Sequence, residues 1–175
     1  MKKICLKSFG FTLIELLVVV SVIGLLFTVG IASYQEFNRK QTVSQSAKNV
    51  ISGLRLAQSK AISGEKDSSK CGNPLKSRLN YWSFSVLSGN KYQIQGNCTN
   101  NDAKPPKTIT FSTQEFSLPS NVSLSSPEIR FLPFTQGVNQ PASLCLSGYN
   151  NTYFYKISVT STGEIKDEGF TNSCP

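Results

Sequence analysis

From Phe11 to Ala32 the chain runs 22 residues with a single charged side chain, Glu15. Coiled as an α-helix at ~1.5 Å per residue, that run is about 33 Å long, enough to cross the hydrocarbon of a bilayer. An ionised carboxylate in such a helix costs about 2.5–3.5 kcal/mol on insertion scales, so Glu15 calls for a partner and reads as functional. A secretory signal peptide would account for Lys2, Lys3 and Lys7 as a basic end. The apolar run nevertheless exceeds the roughly 7–15 residues of such a core, and no small-x-small cleavage site follows it. A plain anchor would leave both Glu15 and the Gly10–Phe11 junction unexplained.

The helical pattern continues past the apolar run. Polar sequence begins at Tyr34-Gln35-Glu36, yet Val43, Ala47, Val50, Leu54, Ala57 and Ala61 recur at three- and four-residue steps. That spacing marks an amphipathic helix laid against a core. One helix from Phe11 to Ile62 is expected, with a membrane part over 11–32, an amphipathic part over 33–63, and Gly64 as its stop. Beyond it, residues 65–80 read as a polar loop. Trp82, Phe84 and Val86 then alternate with serines, turn at Ser88-Gly89-Asn90 and return through Tyr92 and Ile94, which describes a hairpin with one buried face. Asn97–Lys107, holding Pro105-Pro106, reads as a loop. Short strands are expected at Thr108–Phe111, Val122–Leu124, Glu128–Leu132, Ser143–Leu146 and Tyr153–Val159, with Glu164–Lys166 returning after the Thr162-Gly163 turn. Helix first and strands after gives an α+β fold, the helix packed on an antiparallel β-rich head over 64–175.

Composition narrows the chemistry. The formal net charge is +8, of which Lys2, Lys3 and Lys7 carry three, leaving +5 on the rest. The remaining cations are dispersed, which suits a solvated surface better than a nucleic-acid footprint. The chain has no histidine, so the commonest general base and usual zinc ligand are absent. Acids beyond the apolar run are sparse, and nothing sets two of them as an acid–base pair; Asp167-Glu168 reads as a solvated turn. Asp67 and Asp102 in their loops fall short of the six to eight oxygens of a Ca²⁺ site. No phosphate-binding glycine loop is present. No catalysis, metal or cofactor is therefore expected. Of five cysteines, Cys5 precedes the apolar run, leaving Cys71, Cys98, Cys145 and Cys174. A four-thiolate zinc site would need close C-x₂₋₄-C pairs, which are lacking. In an oxidising space the four would pair. Four cysteines allow three connectivities, among which sequence does not choose; Cys71–Cys98, closing a hairpin-containing loop, with Cys145–Cys174 tethering the C-terminus, is the expectation.

The stretch Lys7-Ser8-Phe9-Gly10-Phe11-Thr12-Leu13-Ile14-Glu15 closely resembles the class III signal of type IV pilins and type II secretion pseudopilins. Leu54-Arg55-Leu56-Ala57-Gln58-Ser59-Lys60-Ala61-Ile62, Phe131-Leu132-Pro133-Phe134-Thr135-Gln136-Gly137 and Ile157–Ile165 with its Gly163 turn are similar to successive segments of the minor pseudopilin H and FimT/FimU group. The resemblance implies a leader over 1–10, cut by a prepilin peptidase between Gly10 and Phe11, and N-methylation of Phe11. It implies that Glu15 pairs with the Phe11 amine of a neighbouring subunit as a filament grows from an inner-membrane assembly platform. The implied place is a bacterial inner membrane, crossed once by residues 11–32, with the head outside the cytoplasm. Some FimT-like relatives capture DNA through a basic C-terminal region; here that region offers Lys156 and Lys166 and then Asp167 and Glu168, which oppose phosphate contact.

Overall fold

The computed structural model describes residues 11–73, 77–101, 105–134 and 137–174, with backbone alone at 27–32. The chain divides into two compact units, Met1–Asn38 and Arg39–Pro175. Helix α1 spans Leu13–Ile62. In the first unit its apolar side chains stand open on every side, from Leu13 at 82% exposure to Ile23 at 47%. A helix that is apolar all round has no solvent-facing stripe, so water is not its natural surrounding. Among the described residues no helix is long and apolar enough to cross a membrane. The anticipated span 11–32 includes 27–32, whose side chains lie outside the described residues.

In the second unit α1 turns amphipathic and lays Val43, Ala47, Val50, Ile51, Leu54, Ala57 and Ala61 into the core. Each buried Val, Leu or Ile contributes about 1.5–3 kcal/mol by leaving water, far more than helix propensity supplies. The helix ends at Gly64, which takes φ 66, a left-handed conformation that only glycine adopts without steric cost. A one-turn helix, α2 (Ser68–Cys71), follows, its start capped by Asp67, whose carboxylate accepts from the Ser69 N–H at 2.9 Å. The sequence reading had only loop here, because four residues carry no period.

Eight strands follow: β1 (Ser77–Ser88), β2 (Lys91–Asn100), β3 (Lys107–Ser117), β4 (Val122–Ser125), β5 (Ile129–Phe131), β6 (Ala142–Gly148), β7 (Tyr153–Val159) and β8 (Ile165–Thr171). They form not one sheet but two antiparallel sheets, in the orders β3-β2-β1-β5 and β4-β6-β7-β8. Both contribute to one core under the helix. The first sheet supplies the large rings: Trp82 meets Phe111 edge-on at 5.3 Å, and Phe84, Tyr92 and Phe116 stack at 4.9 and 5.1 Å. Leu144, Leu146, Ile157 and Val159 from the second sheet complete it.

Close approach is bought by two glycines without side chains in the way. Gly96 pairs with Phe111, whose ring lies where a Cβ would stand. Gly148 gives the same room to Val43 of α1. Side-chain hydrogen bonds tie the helix to the sheets and their turns. The Tyr92 hydroxyl donates to the Asn49 carbonyl at 3.2 Å, and Gln58 Nε2 donates to the Gly163 carbonyl at 2.8 Å. Gly163 itself sits at φ 87 and Gly137 at φ 79, both turn positions.

Candidate assembly site

The start of α1 is built by a reciprocal pair. Thr12 precedes the first helical residue, and its hydroxyl accepts from the Glu15 N–H at 3.3 Å. In return Glu15 Oε2 accepts from the Thr12 N–H at 3.0 Å and from the Thr12 hydroxyl at 2.9 Å. This is a capping box, in which a Thr and a Glu three residues on satisfy each other's orphan donors at a helix N-terminus. The negative carboxylate also lies at the positive end of the helix dipole. Glu15 is therefore solvated locally by its own chain. The sequence reading gives Glu15 a partner only on a neighbouring subunit; the Thr-x-x-Glu spacing of Thr12 and Glu15 is the signal for one in its own chain.

The hydrogen bonds leave the charge itself uncompensated, because both donor groups are neutral. Both bonds fall on Oε2; among the described residues no hydrogen bond is made by Oε1. Phe11, just before the cap, is 81% exposed. Residues 11 and 12 precede the helix, and Thr12 enters its ladder through its carbonyl, which accepts from the Leu16 N–H at 3.2 Å. Gly10 and the rest of the expected leader lie outside the described residues.

The four paired cysteines brace the head. Cys71 of α2 is bonded to Cys98 of β2, with Cα atoms 6.0 Å apart, and both are fully buried. Cys145 of β6 is bonded to Cys174, again with 6.0 Å between Cα atoms. Cys145 alternates with inward-facing Leu144 and Leu146 yet is itself buried, so the C-terminal residues cover the far face of the second sheet there.

Lys156 and Lys166 occupy that same far face. Lys156 alternates with buried Tyr155 and Ile157, and Lys166 pairs across the ladder with Ser158. The structure does not gather them into a cationic patch. Lys166 Nζ lies 3.6 Å from Glu164, and Ser158 donates to Glu168 at 2.6 Å beside them. Two carboxylates so close reduce any attraction for a phosphate. Of the loop acids considered for Ca²⁺, Asp67 caps α2, and Asp102 lies outside the described residues. Among the described residues there is no group of three or more potential metal ligands.

Comparison with known proteins fits this arrangement of a capped N-terminal helix and a helix-on-sheet head. The prokaryotic N-terminal methylation motif matches residues 5–31. The sequence model of the type II transport protein GspH family matches residues 46–163, two thirds of the chain. Two curated relatives, each described as a fimbrial protein of Pseudomonas aeruginosa, are 34% identical over 89 residues. That match covers 49% of this chain and 57% of each relative, so the chain spans little more than half the length of the curated relatives it matches. No solved structure matches.

Proposed function

We propose, on the premise that this chain belongs to the type II transport protein GspH family, that it is a minor subunit of a pseudopilus or pilus-like filament. One observation carries the reading: a methylation motif over residues 5–31 stands directly before a GspH head over 46–163, in the order a membrane-anchored filament subunit requires. In this reading residues 1–10 are a leader that holds its basic end in the cytoplasm until a prepilin peptidase cuts after Gly10. Phe11 then becomes the methylated N-terminus, and residues 11–32 keep the subunit in the inner membrane with its head on the outer side.

The capped helix start supports a specific role for Glu15. After cleavage the amine of Phe11 is a cation, and the acid nearest the incoming end of a neighbouring helix is Glu15. Thr12 holds Oε2 in place through two donors, which fixes the carboxylate's direction before any partner arrives. A desolvated carboxylate gains most from a cation when little reordering is needed. Docking of the neighbour's amine at Glu15 would then favour addition at an incomplete filament end, from the assembly platform.

Filaments purified from cells expressing Glu15→Ala should contain at least tenfold less of this subunit than wild type, while its leader is removed normally. Undiminished incorporation would remove the electrostatic docking role. Replacing Gly10 with a bulky residue should leave the precursor uncut on a gel; normal processing of that variant would contradict the assignment of the cut site.

A further inference from the structure

The head half of α1 carries an unusual charge bias. Between Phe37 and Gly64 there are five cations, Arg39, Lys40, Lys48, Arg55 and Lys60, and no acid. Three of the five are engaged inside the head. Arg39 lies 5.5 Å from the Tyr149 ring centroid, Lys40 lies 5.8 Å from that of Tyr153, and Lys60 lies 4.8 Å from that of Trp82 and pairs with Glu65. Lys48 and Arg55 are left. Seven residues apart, they fall on one face of the helix, both are exposed, and among the described residues neither has an ion-pair partner.

They flank a groove of about 230 Å³ between α1 and the free edge strand β8, lined also by Ile51, Ser52, Ile165 and Asp167. Asp167 adds one carboxylate to this lining, which leaves cations over acids there by two to one. Its Oδ1 accepts from the Tyr155 hydroxyl at 2.6 Å and from the Gly169 N–H at 3.2 Å, so this carboxylate is fixed to its own strand pair. The groove thus offers an apolar floor at Ile51 and Ile165 with two unengaged cations on its rim.

We infer that this groove receives an acidic segment of a different filament subunit, with Lys48 and Arg55 gripping its carboxylates. The inference rests on the filament-subunit reading above. A second copy of this chain fits poorly. Without the three leader lysines the chain carries +5, and several of its acids are engaged at home. Glu65 pairs with Lys60, Glu128 with Arg130, Glu164 with Lys166, and Glu168 accepts from Ser158. Two copies meeting helix to helix would juxtapose like charges, which suppresses the pairing. An acidic partner of another kind gains what the self-pair loses, and it does so next to apolar surface, where charges are less screened. An acid-free helix face therefore selects for heterotypic neighbours.

The test places a photo-crosslinking amino acid at Ser52, between the two cations, in the full-length chain within cells that assemble the filament. Purified filaments are irradiated and the cross-linked peptides sequenced by mass spectrometry. The inference expects an adduct to another filament subunit at a peptide containing Asp or Glu. It expects that adduct to fall at least tenfold in the Lys48→Glu/Arg55→Glu variant, and to persist in Lys48→Arg/Arg55→Lys. An adduct to a second copy, an adduct to nucleic acid, or an adduct indifferent to charge reversal would overturn it. So would the absence of an adduct while the chain is present in filaments. Absence of the unsubstituted chain from filaments would instead retire the filament-subunit reading, and this inference with it.

Discussion

Thr12, Gly96, Tyr92 and Tyr155 are the residues at which local chemistry has the clearest measurable consequence. Gly96→Ala should destabilise the head by about 1–3 kcal/mol, since its Cβ would enter the ring of Phe111 in a packed core. Chemical unfolding followed by tryptophan fluorescence reads this directly, because Trp82 packs on the same ring. The two tyrosines predict an alkaline transition. Burial pushes Tyr92 up to about 12, and burial, helped by the bond to Asp167, does the same for Tyr155. The folded head therefore keeps protons that the unfolded chain has released at its ordinary value near 10. Stability is full below about pH 10 and is lost as pH rises towards about 12. Tyr92→Phe combined with Tyr155→Phe should flatten that decline in a pH series of unfolding curves; an unchanged slope would show that other groups cause it. Thr12 marks a limit of reading residues singly. Glu15 stood out as an isolated acid, whereas the meaningful unit was the four-residue Thr12–Glu15 pair.

At the level of elements, what was legible depended on whether the period stayed in phase. The core stripe of α1 holds its three-and-four spacing from Val43 to Ala61, and all six side chains anticipated on it are buried. Strand β7 alternates cleanly and was found at its full length. Strand β3 was expected only to Phe111 but continues to Ser117. Its inward residues change phase, from Ile109 and Phe111 to Phe116, because Ser112 sits at φ 49 in a register shift opposite Ile94 and Gly96. Strand β8 was expected only as Glu164–Lys166 and continues to Thr171 for the same reason: a shift between Asp167 and Gly169 moves the face from Ile165 and Asp167 to Phe170. A bulge breaks the alternation on which strand reading relies. That the strands split into two sheets was not legible either, since strand period carries no information on which strands become neighbours. The bridge from α2 to β2 leads to a further expectation. Cys71→Ser or Cys98→Ser should cost about 2–4 kcal/mol, the usual return from closing a loop of this size. Thermal unfolding with and without reductant would show it, and equal melting temperatures would count against a stabilising bond.

On the scale of the whole chain, the two compact units impose different solvents. Residues 13–26 expose apolar side chains all round, while the head buries one continuous core and distributes its charge outward. In the proposed function the link between them is a freed N-terminus: the greasy helix would begin with a cationic amine within reach of a neighbour's Glu15. Match of the methylation motif to residues 5–31 supports that reading. The most direct measurement is intact-mass and N-terminal peptide analysis of the subunit extracted from membranes. The account predicts a mature chain that begins at Phe11 and carries one methyl group on its amine. A mature chain beginning at any other residue, or one retaining residues 1–10 within assembled filaments, would contradict it.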